Sequence, residues 1–230
     1  TGVQTCALPI SNELCRELRR SHKEHEIMEQ RTEDWFLARK GKVTASRIAD
    51  VMAKGRGGAE SRTRDKYIDQ LVTERLTKSM EEGYTNEAIQ RGVDLEATAR
   101  SAYEFATGNV VKEVGFIDHP AIEMSGASPD GLLGLSGLIE IKCPNSNTHI
   151  EYILAGKPPA KYVPQMAWQL ACTGREWVDF VSYDDRLEDE SKHLFIVRYH
   201  RDDEYIAEIA AAVIKLLEEV EAKVTKFKEI

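Results

Sequence analysis

The pattern of apolar and polar positions predicts an alternation of strands and helices along most of the chain. Apolar residues recur at every second position in short segments, as in strands, and at every third or fourth position in longer segments, as in helices. The predicted strands are 110–117, one ending near Ser128, 138–142, 177–183 and 193–199, and the predicted helices are 86–107, 162–172 and about 203–229. This order predicts an α/β fold with a central mixed sheet flanked by helices.

The last helix has one apolar face. Its apolar positions share a spacing of three or four residues and are Ile206, Ala210, Val213, Leu217, Val220, Val224 and Phe227. Such a face is usually part of the core. We therefore expect this helix to pack on the sheet of its own chain rather than in a coiled coil.

The length of 230 residues is within the range of one mixed domain. Residues 1–11 have no periodicity, lack an initiator methionine and resemble the translation of a sequencing adapter, so we expect them to be non-native. The remaining residues, 12–230, are predicted to form a single domain.

The composition gives no sign of secretion or membrane insertion. No apolar run approaches the roughly 18 residues of a membrane-spanning helix. The four cysteines, Cys6, Cys15, Cys143 and Cys172, show neither metal-binding spacing nor a dense disulfide pattern. A reduced, cytoplasmic setting is the expectation, with Cys143 in a structural role.

The charge distribution is uneven. The chain has 31 basic and 39 acidic residues and a net charge of −8, which excludes a DNA-binding field over the whole surface. Between Arg31 and Lys78, however, the chain has twelve basic and seven acidic residues, a local excess of five positive charges. We expect a basic channel there, with the loop at 54–58 either contacting a phosphate backbone or simply solvated.

Two carboxylates and a lysine form the strongest chemical signal. Asp130 precedes a turn-rich segment, and Glu140 and Lys142 lie two residues apart on a predicted strand, so they share a face of it. Carboxylates can hold Mg²⁺ beside a phosphodiester, and a lysine can orient and deprotonate water or stabilise negative charge. The same pattern also occurs on solvated strand faces.

The wider context resembles the lambda-exonuclease/YqaJ-like viral recombinase family of the PD-(D/E)xK nuclease superfamily. Four blocks occur in that family's order: WFLAR with GKVTAS at 35–46, RGVDLE at 91–96, SPDG with LIEIKCP at 128–144, and YVPQ with a following Gln169 at 162–169. The resemblance implies a restriction-endonuclease-like core. It also implies an exonuclease that digests linear double-stranded DNA from 5′ to 3′, releases 5′-mononucleotides and leaves 3′ tails for phage-type recombination.

The resemblance also implies roles for individual residues. The implied catalytic residues are Asp130, Glu140, Lys142 and Gln165, the implied metal-binding residues are Glu96, Asp130, Glu140 and Ile141, and the implied 5′-phosphate or DNA contacts are Arg39, Thr44, Ser46 and Ser128. Helical spacing alone would make Glu96 a surface acid paired with Arg100. Thr44 and Ser46 also fit an ordinary helix start.

The expected cofactor is Mg²⁺, with Mn²⁺ as an alternative and two ions in the site. The expected partners are duplex DNA ends, a single-strand annealing protein and further copies of the chain in a trimer, within a bacterial host cell that carries the gene on a phage or prophage. Two alternatives stay open at this stage. One is an endonuclease or RecB-like nuclease of the same superfamily, and the other is a DNA-binding protein without catalysis.

Overall fold

The computed structural model describes residues 29–55, 61–77 and 87–230. Its helices, numbered in chain order, are α1 (Glu33–Arg39), α2 (Ile48–Val51), α3 (Arg62–Leu76), α4 (Glu87–Thr107), α5 (Ser146–Ala155), α6 (Val163–Thr173) and α7 (Asp203–Lys228). Its strands are β1 (Val43–Thr44), β2 (Val111–Lys112), β3 (Ile117–Asp118), β4 (Ser125–Ala127), β5 (Gly131–Leu133), β6 (Gly137–Lys142), β7 (Trp177–Tyr183) and β8 (Leu194–His200). Short 3₁₀ turns span Ala45–Arg47, Ala160–Tyr162 and Glu190–Lys192.

The strands form two sheets. A small sheet has the order β1-β4-β3, in which β1 and β4 are parallel and β4 and β3 are antiparallel. A larger sheet has the order β2-β5-β6-β7-β8, in which β6 and β7 are parallel and the other neighbours are antiparallel. The parallel pair requires a long crossover, and α5 and α6 provide it. The predicted α/β class with mixed strand directions is therefore confirmed.

Strand β6 lies at the centre of the larger sheet and is buried on both faces. Leu138 packs in a core cluster with Trp168 of α6, whereas Ile139 and Ile141 pack in a second cluster with Tyr103 of α4. The interpretation of 138–142 as a strand buried on one face was therefore wrong. Helices cover both faces of the sheet, and under such cover a strand has no solvated side.

The long helix α7 packs mainly against other helices. Its closest neighbours are α3, α6 and α2, so the expectation that it packs on the sheet was wrong. Its buried positions are Ile206, Ile209, Val213, Leu216, Val220 and Val224, and Phe227 near its end is 62% exposed. Asp202 caps the helix by accepting from the backbone N–H of Tyr205 at 3.0 Å.

The predicted strand at 110–117 was also wrong. It is two short strands in different sheets, β2 in the larger and β3 in the small one. The segment crosses from one sheet to the other, which a continuous apolar pattern does not reveal. The predicted strand at 177–183 has the bounds of β7, and the helices predicted at 86–107 and 162–172 agree with α4 and α6 to within one residue at each end.

Residues 1–11, predicted to be non-native, lie outside the described residues, as do residues 56–58 of the predicted basic loop. In the part of the chain that the structure covers, no helix combines the length and apolar character needed to cross a bilayer.

Candidate active site

Asp130 and Glu140 are brought together by the antiparallel pairing of β5 with β6. Gly131 pairs with Ile139, so Asp130 immediately before β5 lies beside Glu140. The Oδ2 atom of Asp130 accepts a hydrogen bond from the backbone N–H of Ile141 at 2.6 Å. The glycine after the aspartate is required by crowding, because a Cβ at Gly131 would lie 2.2 Å from Cγ1 of Val111.

Glu140 is completely buried and is held by three donors. Lys142 Nζ and Gln165 Nε2 donate to its Oε1, the latter at 2.6 Å, and Gln169 Nε2 donates to its Oε2 at 2.6 Å. The two glutamines lie one turn apart on α6, which places both amides over the same strand. A buried carboxylate with this many donors has a fixed orientation.

Gln169 has a larger role than the sequence indicated. The sequence predicted only that it faces the cleft, yet it is fully buried and contacts Glu140 directly. Its Oε1 atom is buried without a hydrogen-bond partner among the described residues. The spacing of four residues from Gln165 was the available signal for this shared contact.

The electrostatics of the cluster are those of closely spaced carboxylates. Burial, followed by the nearby Glu140 carboxylate, raises the pKa of Asp130 well above its usual range, although Lys142 opposes the change. Burial alone would lower the pKa of Lys142, but the charges of Glu140 and Asp130 outweigh it and the pKa is raised. Lys142 is therefore a cation here. Its one positive charge does not offset burial and the repulsion from Glu140, because the pKa of Asp130 stays raised.

Glu96 lies on α4 and is held by two arginines. Arg31 donates to its Oε2 at 2.5 Å, and Arg100, one turn along the helix, donates to its Oε1 at 3.2 Å. The pairing with Arg100 expected from helical spacing is thus present. Glu96 is near enough to Asp130 to contribute to the raised pKa of that carboxyl.

The donor set fits a hard divalent cation in kind, because carboxylate oxygens are the ligands that Mg²⁺ prefers. The raised pKa of Asp130 marks a place where a cation would relieve repulsion. Across residues 29–55, 61–77 and 87–230, however, no three His, Cys, Asp or Glu side chains are gathered as a ligand set. Ile141 is 5% exposed with its side chain in the core, so only its backbone could take part.

Arg39, Thr44 and Ser46 line one pocket of about 130 Å³, which we call the basic pocket. Its other lining residues are Lys42, Arg47, Tyr67, Gln70, Leu71 and Glu74. The hydroxyls of Thr44 and Ser46 are 3.3 Å apart. Thr44 and Ser46 are brought there by β1 and the 3₁₀ turn that follows it.

Ser128 is separate from this lining but contacts Arg39. Its Oγ accepts from Arg39 Nη1 at 3.2 Å and from Trp35 Nε1 at 2.9 Å. The guanidinium of Arg39 also lies 4.1 Å from the ring centre of Trp35. Arg39 therefore connects the basic pocket with Ser128, which is two residues before Asp130.

The basic segment contains residues that sequence reasoning did not single out. Lys42 and Arg47 line the basic pocket. The local excess of positive charge was a signal for both, and Lys42 also lies in the GKVTAS block. Other members of the segment serve packing, since Arg64 and Arg75 pair with Glu219 and Glu221 of α7 at 2.8 and 3.2 Å. Part of the counted positive charge is thus paired with acids of α7, and the basic channel stays a prediction.

An α/β core with an aspartate immediately before one strand, Glu-x-Lys on the adjacent strand and a glutamine-bearing helix that contacts the glutamate defines a nuclease-like class of protein. A model of the YqaJ-like viral recombinase domain matches residues 34–176, and the chain belongs to that family. No protein in a search of curated sequences matches the chain.

Solved structures agree with this membership. The chain is similar to the alkaline exonuclease LHK-Exo from Laribacter hongkongensis, with 54% identity over 86% of this chain and 97% of that chain, and a TM-score of 0.80. The complex of LHK-Exo with dAMP matches with a TM-score of 0.81. A phage-related exonuclease from Haemophilus somnus 129PT, at 16% identity over 81% of this chain and 96% of that one, shares the fold with a TM-score of 0.61. The chain is thus a homologue of an exonuclease.

Proposed function

We propose that the protein is a Mg²⁺-dependent exonuclease that digests linear double-stranded DNA from 5′ to 3′ and releases 5′-mononucleotides. The observation that carries the proposal is the contact of Lys142, Gln165 and Gln169 with a single buried carboxylate, Glu140, beside Asp130. A site that only bound DNA would need cations and hydroxyls. It would not need buried, mutually repelling carboxylates, which are costly unless they have a function.

Hydrolysis at this site would proceed by in-line attack of water on a phosphodiester, with cleavage of the bond from phosphorus to the 3′ oxygen. Asp130, Glu140, Glu96 and the backbone of Ile141 would hold Mg²⁺, or Mn²⁺, in two positions. The bound ions would supply charge neutralisation and a more acidic water. Homology to an enzyme crystallised with dAMP supports a mononucleotide product.

Lys142 would act on the attacked phosphate and the water. Its raised pKa favours a protonated amine that stabilises the developing negative charge, of the two roles considered for it. Gln165 is only partly buried and would orient the water or the phosphate through its amide, in addition to fixing Glu140. Gln169 would act indirectly, by holding the other oxygen of Glu140.

The basic pocket would bind the terminal 5′-phosphate. Arg39 offers a planar fork of donors and Thr44 and Ser46 offer hydroxyls, a set suited to phosphate. Ser128 would add a hydroxyl on the side of Arg39 towards Asp130. Binding the terminal phosphate a fixed distance from the carboxylates would select the bond to be cut, and each cut leaves a new 5′-phosphate for the next cycle.

Family membership supports a proposal for the biological setting. We infer a protein of phage or prophage origin that works in the bacterial cytoplasm, leaves 3′ single-stranded tails and passes them to a single-strand annealing protein. A homotrimer around DNA would explain how one strand is digested without release. These partners would be tested by co-purification and by light scattering of the purified protein.

The deciding experiment is digestion of a linear duplex labelled separately at each 5′ and 3′ end, with 5′-phosphate or 5′-hydroxyl termini, in Mg²⁺. Mononucleotide release from 5′-phosphorylated ends is expected. Lys142→Ala should lose this activity, whereas Lys112→Ala, a change of an exposed lysine on the same sheet, should keep it. Closed circular DNA should be resistant. Cutting of circles would indicate the endonuclease alternative, and binding without cutting would indicate a DNA-binding protein.

A further inference from the structure

Besides Arg39, the basic pocket is lined by two cationic side chains, Lys42 and Arg47. Among its lining residues the charged side chains are Arg39, Lys42, Arg47 and Glu74, three positive and one negative, which gives a net charge of +2. Lys42 is neutralised at the rim, because its Nζ lies 2.6 Å from Asp118. Arg47 is also paired, through its Nε with Asp50 at 2.5 Å, but its guanidinium has two further nitrogens, whereas the one charged atom of Lys42 is the atom that contacts Asp118. Arg47 is therefore the cation that can face a ligand together with Arg39.

Arg47 is held in place from three directions. Its Nε donates to Asp50 at 2.5 Å, its Nη1 donates to Gln70 at 2.8 Å, and its guanidinium lies 4.2 Å from the ring centre of Tyr67. Fixed geometry reduces the entropy lost when a ligand binds. Its Nη2 makes no hydrogen bond with the described residues, so donors of the guanidinium remain for a ligand.

The anchors of Arg47 belong to the same pocket wall as the proposed phosphate contacts. Tyr67 OH accepts from the backbone N–H of Thr44 at 3.2 Å, and Gln70 donates to Glu74 at 2.8 Å. Glu74 in turn accepts from the backbone N–H of Gly41 at 2.8 Å, in the turn between Arg39 and Thr44. One network on α3 thus fixes both Arg47 and the segment that carries Arg39 and Thr44.

We propose that Arg47 is the second phosphate-binding cation of the basic pocket and makes the pocket selective for a terminal phosphate monoester. This inference rests on the proposed function and names a specificity residue for it. A monoester carries close to two negative charges near neutral pH, whereas a backbone diester carries one. Two guanidinium groups offer the monoester more positive charge than Arg39 alone, although Asp50 offsets part of the charge of Arg47, and each can donate two hydrogen bonds to the phosphate oxygens.

The test measures the affinity for DNA ends in EDTA, without turnover. Fluorescence anisotropy gives Kd for duplexes that differ only in a 5′-phosphate or a 5′-hydroxyl, and the ratio of the two values is the selectivity. Arg47→Gln should reduce this ratio about 10- to 100-fold, since it removes charge-assisted hydrogen bonds to the phosphate. It should leave the Kd of the 5′-hydroxyl duplex within about 3-fold, a tolerance set by the modest share of any one cation in non-specific binding.

Two further variants separate specificity from folding. Arg62→Gln removes the same charge from an exposed position of the same basic segment, outside the pocket, and should leave the ratio unchanged. Arg47→Lys keeps the charge and the stem beside Tyr67 but loses the planar fork, and should give an intermediate ratio. It carries the comparison if Arg47→Gln does not fold, as judged by circular dichroism.

The outcomes are distinguishable. If Arg47→Gln leaves the ratio of the two Kd values unchanged, including the case in which it raises both Kd values equally, the inference is overturned. Arg47 would then have only a packing role between α2 and α3. If the ratio falls in Arg39→Gln but not in Arg47→Gln, the phosphate pocket stands and only the role of Arg47 is refuted. If the wild-type protein does not distinguish the two ends, both the pocket and the role of Arg47 are refuted.

Discussion

Replacement of Gln169 by leucine is predicted to separate activity from stability. The side chain is fully buried, donates one hydrogen bond of 2.6 Å to Glu140, and has an Oε1 atom without a partner among the described residues. Leucine is close to glutamine in volume and removes both amide atoms. The substitution therefore deletes one favourable and one unfavourable polar feature together.

The two effects are similar in size. A hydrogen bond to a charged group contributes about 1.5–3 kcal/mol, and an unsatisfied buried polar atom costs about 1–3 kcal/mol. Because Oε2 of Glu140 is then left buried without its donor, the balance falls on the destabilising side, and the free energy of unfolding of Gln169→Leu should lie about 1–2 kcal/mol below the wild-type value. Glu140, however, loses the donor that fixes its Oε2, and loss of such a supporting contact typically lowers activity or metal affinity about 10- to 100-fold.

The assays are urea unfolding of the ion-free protein and kcat on a 5′-phosphorylated duplex as Mg²⁺ is titrated. Gln165→Leu is the matched control, because Gln165 donates to the other oxygen of Glu140 but has no orphaned buried atom. Because Oε1 of Glu140 keeps Lys142 as a donor, Gln165→Leu should cost no more stability than Gln169→Leu. Unfolding of Gln169→Leu at a free energy more than about 2 kcal/mol below wild type, or full activity at low Mg²⁺, would refute this reasoning.

Three other predictions concern single positions. Lys142→Ala should lower kcat about 10²- to 10³-fold with little change in DNA binding, measured by single-turnover digestion and anisotropy. Burial alone would raise the pKa of Asp184, but hydrogen bonds from Arg186 outweigh burial and lower this pKa to about 2. The stabilising charge of Asp184 is therefore present above about pH 4 and is lost as pH falls towards about 2. Asp184→Asn should therefore lower the free energy of unfolding near pH 7 by about 1–2 kcal/mol, a value reduced for solvent screening because Arg186 is 43% exposed. The same variant should show a flatter pH dependence of urea unfolding below about pH 4. Gly126→Ala should destabilise the protein by about 2–3 kcal/mol and lower its melting temperature by several degrees, because the added Cβ would lie 2.3 Å from the ring of Phe116. An unchanged melting curve would contradict this packing.

The grouping of the candidate site residues was more predictable than their surroundings. Asp130, Glu140 and Lys142 were found from residue type and spacing, because a turn between two strands brings its flanking residues together in any antiparallel pair. Gln169 and Arg47 were underestimated. Their contacts join α6 to β6 and α2 to α3, and a one-dimensional pattern does not show which helix covers which strand.

Periodicity by itself determined the type of the long elements. It located β7 and the helices α4, α6 and α7, since burial of one face imposes a repeat on a helix, and a run of apolar residues marks a central strand. Charge counting located the basic segment. Family motifs added the residue roles, which stay proposals.

Only the tertiary structure decided three other features. It split 110–117 between two sheets, buried both faces of β6, and placed α7 against helices rather than against the sheet. It also directed Arg64 and Arg75 towards acids of α7, while Arg39 and Arg47 line the basic pocket. The physical reason is the same in each case: a sequence states which side chains avoid water or carry charge, but their partners are set by contacts between segments far apart in the chain.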